Sequence, residues 1–203
     1  MKGNINEIAG IINECFYYFN RINYQAKNRY SIDTSFSKLR EDTYKQFQET
    51  NRQRADFINK IRLIDLETKP VFTQLIFDLN HLFKFSIFDN CKQTLTNGKF
   101  TRLKYGSPKD VESLKDAIFF FRDAIVHPEH STEKPSPRAL PQFPNINLSL
   151  YSLLIKNGTD FCFQIGEGKI RLKADILKCL KNLKEQCLKS DSENILKNFK
   201  WVK

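Results

Sequence analysis

Residues 4–27, NINEIAGIINECFYYFNRINYQAK, space Ile5, Ile8, Ile12, Cys15, Phe16, Phe19 and Ile22 at helical intervals. At 3.6 residues per turn these side chains form one stripe, whereas on a strand they would divide between two faces. The opening segment therefore predicts an amphipathic helix with a single buried side, and a fold built by packing such helices.

Downstream, residues 36–66 carry a weaker stripe of Phe36, Leu39, Phe47, Ile58 and Ile61. The middle of that stretch, KQFQETNRQR (45–54), is almost wholly polar and predicts a solvated or protruding helix. Pro70 is expected to open a third helix through about Leu95, ended by Asn97-Gly98, residues that tolerate a left-handed cap. Ser107, Pro108 and Asp110 read as the N-cap, first position and capping partner of a fourth helix reaching His127. Five of the seven prolines fall in residues 128–144, a predicted loop.

The period then drops to two. Ile146, Leu148 and Leu150 alternate with polar neighbours, Asn157-Gly158 signals a hairpin turn, and Phe161, Phe163 and Ile165 alternate on the return. Gly166 and Gly168 permit a second turn into a short strand near 169–172, followed by a basic helix at 174–189 and a short helix at 192–202. The expected fold is mainly α: an up-and-down helical bundle (1–144) with a small antiparallel β-hairpin or meander before basic C-terminal helices (145–203).

Composition narrows the function. The 203 residues hold 33 Lys+Arg against 23 Asp+Glu, a formal charge of +10, so a polyanionic partner is favoured. Residues 169–203 carry ten of those cations and four acids, a net of +6. Cys15, Cys91, Cys162, Cys179 and Cys187 are odd in number and lack a CxxC pair, which suits reduced thiols in the cytoplasm. With three histidines besides, no metal site or cofactor is expected. No segment has the uninterrupted apolar length to span a membrane, and no membrane partner is expected.

Chemistry concentrates in AIFFFRDAIVHPEH (117–130). Arg122 stands inside an apolar run, where a guanidinium must be paired or open into a polar cleft. Asp123 and His127 are four apart, so the carboxylate can orient the imidazole. The hexapeptide Arg122-Asp123-Ala124-Ile125-Val126-His127 resembles the R-x(4–6)-H signature of HEPN domains, helical-bundle proteins that include many prokaryotic toxin and antiphage ribonucleases. That family usually has a polar residue, often Asn, after the Arg; Asp123 occupies that slot with a carboxylate.

The resemblance implies a metal-independent endoribonuclease of a toxin–antitoxin or antiphage defence system. The RNA 2′-hydroxyl attacks its own phosphate, leaving 2′,3′-cyclic phosphate and 5′-hydroxyl ends. His127 would move the proton, Arg122 would stabilise the phosphorane, and Asp123 would orient His127. It also implies a homodimer that completes the site with a second motif, and an antitoxin or other defence subunit as partner. The alternative is a catalytically inactive HEPN-like protein that binds nucleic acid or a partner protein, silenced by Arg122–Asp123 pairing.

Around that centre, His130 is a candidate RNA contact. Lys178, Lys181 and Lys184 recur every three residues and are candidate phosphate contacts. His81, among Leu79, Leu82 and Phe83, reads as a core or boundary residue.

Overall fold

The computed structural model describes residues 4–42, 47–104, 107–126, 149–155 and 158–190. The chain is mainly α, with two small antiparallel sheets. Helix α1 (Ile5–Asp42) and helix α2 (Phe47–Leu82) form a long antiparallel pair. Two polar contacts give their direction: Gln25 donates to Glu67, and Arg29, further along α1, pairs with Asp65, further back along α2.

Only the near half of this pair is cored. Six of the seven residues in the predicted stripe of α1 are buried (Ile8, Ile12, Cys15, Phe16, Phe19 and Ile22), Ile5 is partly buried against the core, and the buried series ends at Ala26. On α2 it begins at Thr68 and Val71 and continues through Phe72, Leu75, Ile76, Leu79 and Leu82. Between those limits no described side chain is buried, and Arg52, Arg54, Leu63 and Leu66 are exposed. The polar stretch thus belongs to the far part of a helical hairpin.

Pro70 lies inside α2 and does not open a separate helix. Proline withholds one N–H and would orphan the carbonyl of Leu66. Both residues face solvent, so water can satisfy that oxygen. The helix stops at Leu82, well short of the expected Leu95; a 3₁₀ turn at Ser86–Phe88 follows. Gly98 does adopt the left-handed conformation (φ 77°), but it turns the chain into a strand.

The largest correction concerns residues 100–111. Strand β1 (Phe100–Lys104) pairs with strand β2 (Ser107–Val111), with Phe100 opposite Val111 and Leu103 opposite Pro108. Ser107 and Pro108, expected at a helix start, are strand residues in a two-stranded sheet whose outer edge tolerates proline. Helix α3 (Leu114–Val126) starts one pattern later. Ser113 Oγ accepts from the Asp116 backbone N–H at 3.0 Å and donates to the Asp116 carboxylate at 2.8 Å. Ser107-x-x-Asp110 and Ser113-x-x-Asp116 are the same cap signature, and pairing with β1 decides which one caps a helix.

The second sheet is the predicted meander. Strands β3 (Ser149–Ile155), β4 (Gly158–Ile165) and β5 (Gly168–Arg171) lie in sequence order, with Ile155 opposite Gly158 and Ile165 opposite Gly168. Gly158 is therefore a strand residue; Asn157, Ile146 and Leu148 lie outside the described residues, as do residues 128–144 and the expected helix 192–202. A π-helical turn (Leu172–Leu177) leads into helix α4 (Lys178–Ser190).

A single core joins both parts of the chain. Phe100 packs on Phe120 (ring centroids 5.1 Å apart), Phe120 on Phe121, Phe121 on Phe72, and Phe72 stacks on Phe163 at 3.8 Å. That run crosses β1, α3, α2 and β4, which accounts for part of the chain's 18 phenylalanines. Among the described residues, no helix is long and apolar enough to cross a membrane.

Candidate functional site

Helix α3 buries Leu114, Ala117, Ile118, Phe120, Phe121 and Ala124 against α2 and β5. Arg122 and Asp123 fall on the remaining arc. Their side chains are 39% and 40% exposed, and Arg122 Nη1 donates to Asp123 Oδ1 at 2.8 Å. The guanidinium therefore meets both conditions set by its apolar neighbourhood: it is paired, and it reaches solvent. No buried-charge penalty of several kcal/mol arises.

The four-residue spacing predicts that Asp123 orients His127, and the Asp123 carboxylate also accepts from Arg122. One of the five guanidinium N–H donors is committed to that carboxylate. Near the C-terminal end of α3 the helix dipole favours the arginine and disfavours the aspartate, and the adjacent guanidinium offsets that cost. Phe119, Arg122 and Val126 recur at helical spacing along α3; Phe119 is partly buried against the core, and Val126 is 42% exposed. His127 and His130 lie outside the described residues.

The basic row of α4 is only partly assembled. Lys178 and Lys181 are exposed, whereas Lys184 is half-buried and turned towards the flank, about 60° from Lys181 around the helix. Glu185 shares the exposed side with Lys178, Lys181 and Lys189 and dilutes its charge. His81 sits edge-on to Phe85 at 5.1 Å, matching a boundary residue.

A groove of ≈ 480 Å³ opens elsewhere, between the Asn97–Thr101 turn and the turn linking β4 to β5, with Lys99, Gln164 and Lys169 on its walls. Gly168 of β5 abuts Phe120 so closely that a Cβ would stand 2.6 Å from Cε1 of that ring. Phe120 and Arg122 are two positions apart, about 200° around the helix, so this groove and Arg122 lie on different sides of α3.

Two buried carboxylates have no counterpart among the sequence-based candidates. Asp160 accepts from the backbone N–H groups of Phe161, Lys173 and Ala174 and from Arg171 Nε. Two of those donors are orphan N–H groups at the start of the π turn, so Asp160 caps a helix from a distant strand. Asp175 accepts from the N–H of Arg171 at 2.7 Å and from the N–H and hydroxyl of Thr96 at 3.0 and 2.6 Å. Both are 0% exposed. They fasten α4 to the meander and to the loop before β1. The Arg171 and Phe161 contacts are local, but Thr96 is remote in sequence from Asp175, and Lys173 and Ala174 lie on another element than Asp160, so a short-range pattern does not announce the two clasps. Among the described residues, no three His, Cys, Asp or Glu side chains are grouped to hold a metal ion.

The chain matches no protein-family model, no curated protein and no solved structure.

Proposed function

We propose that this chain is a HEPN-type endoribonuclease of a toxin–antitoxin or antiphage system, acting at Arg122 and His127. The observation that carries the reading is a solvent-reaching arginine, held by its neighbour on a largely apolar helix, five residues before a histidine. RNA brings its own 2′-hydroxyl nucleophile, so the protein needs only a proton carrier and a cation at the phosphate. His127 would carry the proton, its ordinary pKa lying close to physiological pH. Arg122 would offer its remaining N–H donors to the non-bridging oxygens, with Asp123 fixing its rotamer. A second copy would bring another Arg122/His127 set, with Phe119 and Val126 supplying apolar contact around it.

Expression in cells tests this directly. Wild-type chain should arrest growth and degrade cellular RNA, and His127→Ala should do neither. Equal harmlessness of the two, with RNA intact, would overturn the hydrolytic reading.

The Arg122–Asp123 ion pair also supports a second reading, a catalytically silent member that binds nucleic acid or a partner protein. In that case RNA binding persists in His127→Ala and weakens steeply with salt, because Lys–phosphate contacts release counterions.

A further inference from the structure

The groove beside β1 has two walls, each built on a glycine turn. On one wall Gly98 adopts φ 77°, and nothing stands within 4 Å of the place its Cβ would take, so the backbone there is open. On the other, Gly166 (φ 56°) carries the chain from β4 to β5, and Gln164 Nε2 donates to its carbonyl at 2.7 Å. Gly168 presses on Phe120, which holds the start of β5 against α3. Phe100, 9% exposed, also lines the groove, its ring resting on Phe120. The space of ≈ 480 Å³ is more than one inorganic anion fills and falls within the roughly 300–1,000 Å³ of small-molecule sites.

The side chains on these walls fall into two chemical sets. Lys99 and Lys169 place one ammonium on each wall. Lys99 Nζ donates to Asp110 at 2.8 Å, and Thr101 donates to the other oxygen of that carboxylate at 2.8 Å. Asp110 thus fixes the Lys99 side chain, which remains 60% exposed and commits one of its three N–H donors. Lys169 is exposed. The second set consists of acceptors. Gln164 and Asn97 turn their amide nitrogens to the Gly166 carbonyl and the Cys162 sulfur, which leaves their oxygens to accept. Glu167 adds a carboxylate. A bare anion would use only the ammoniums. A molecule with an anion at one end and N–H or O–H donors at the other would use both sets.

We propose that this groove is a binding site for a nucleoside monophosphate. Lys99 and Lys169 hold the phosphate from the two walls, and Asn97, Gln164 and Glu167 accept from the amino groups of the base and the hydroxyls of the sugar. A phosphate monoester is close to doubly charged at neutral pH, so it suits two ammoniums better than the singly charged diester of an RNA strand. The bare backbone at Gly98 lets the ligand approach closely. Binding makes and breaks no covalent bond. The groove lies on another side of α3 from Arg122, so this inference is independent of the ribonuclease reading.

Titration of the isotope-labelled full chain with each of the four ribonucleoside monophosphates, followed by amide chemical shifts, tests it. At least one should bind with a Kd below about 1 mM and move the Gly98, Lys99, Glu167 and Lys169 signals first. The matching nucleoside and inorganic phosphate should each bind about ten-fold more weakly or worse. Affinity should fall as pH drops through about 6, where the monoester takes up a proton and loses its second charge. The proposal is overturned if no monophosphate moves these signals by about 10 mM, or if nucleoside or phosphate alone binds as tightly. It is also overturned if a 5′-phosphorylated RNA binds there and no free monophosphate does.

Charge reversal then locates the phosphate. Lys169→Glu should weaken the monophosphate by about ten-fold or more, whereas Lys69→Glu, the same change at an exposed position on α2, should leave its Kd within about two-fold. Unchanged binding by folded Lys169→Glu, or an equal loss in Lys69→Glu, would overturn the assignment. His127→Ala should bind as wild type does, so failure of this site and failure of the ribonuclease reading are seen separately.

Discussion

Arg122 and Asp123 share one hydrogen bond, and the pair lets a charged side chain occupy the most apolar of the described helices without being buried. Asp175 does the reverse: it is wholly buried and has all its described partners inside the protein. Removing its carboxylate would strand the N–H groups of Arg171 and Thr96 and the Thr96 hydroxyl. Such a loss costs about 1–3 kcal/mol where water cannot reach the stranded group, and less at Thr96, which is exposed. Asp175→Ala should therefore destabilise the chain by roughly 2–3 kcal/mol, read as a lower midpoint in urea with little change in slope. A loss under about 1 kcal/mol would mean that Asp175 does not hold α4 in place. Sequence alone could not flag this residue, since an Asp in the first turn of a basic helix looks like an ordinary dipole partner.

Among the elements, α1 and the meander were legible and the β1–β2 hairpin was not. Helix α1 carries a full apolar stripe, and β4 alternates Phe161, Phe163 and Ile165, so each displays its period locally. Strands β1 and β2 bury only Phe100 and Val111 among their described side chains, leaving no alternation to read. Their pairing instead captured a serine and a proline that would have started a helix. The two cap signatures can be separated by mutation. Ser113→Ala should cost about 1 kcal/mol by removing the α3 cap, a drop in melting temperature of roughly 2–4 °C. Ser107→Ala should stay within about 0.5 kcal/mol, as expected where no helix starts. A larger loss at Ser107 than at Ser113 would contradict Ser113 as the cap of α3.

Across the whole molecule, one aromatic-rich core spans both parts of the chain, and a helical hairpin extends beyond it. The sequence disclosed the helical class, the meander and the position of the Arg122–Asp123 pair on a largely apolar helix. It concealed what the assembled fold decides: the carboxylate clasp around α4 and the turning of Lys184 away from the lysine row. The proposed ribonuclease site joins one described pair to a histidine just beyond the described end of α3. Its most direct test is cleavage of an end-labelled RNA by the purified full chain, with a chelator present and the new ends identified. Wild-type protein should leave 2′,3′-cyclic phosphate and 5′-hydroxyl ends, and His127→Ala and Arg122→Ala should each slow cleavage by about 10²-fold or more. Intact RNA with folded wild-type protein, or undiminished cleavage by His127→Ala, would contradict the account.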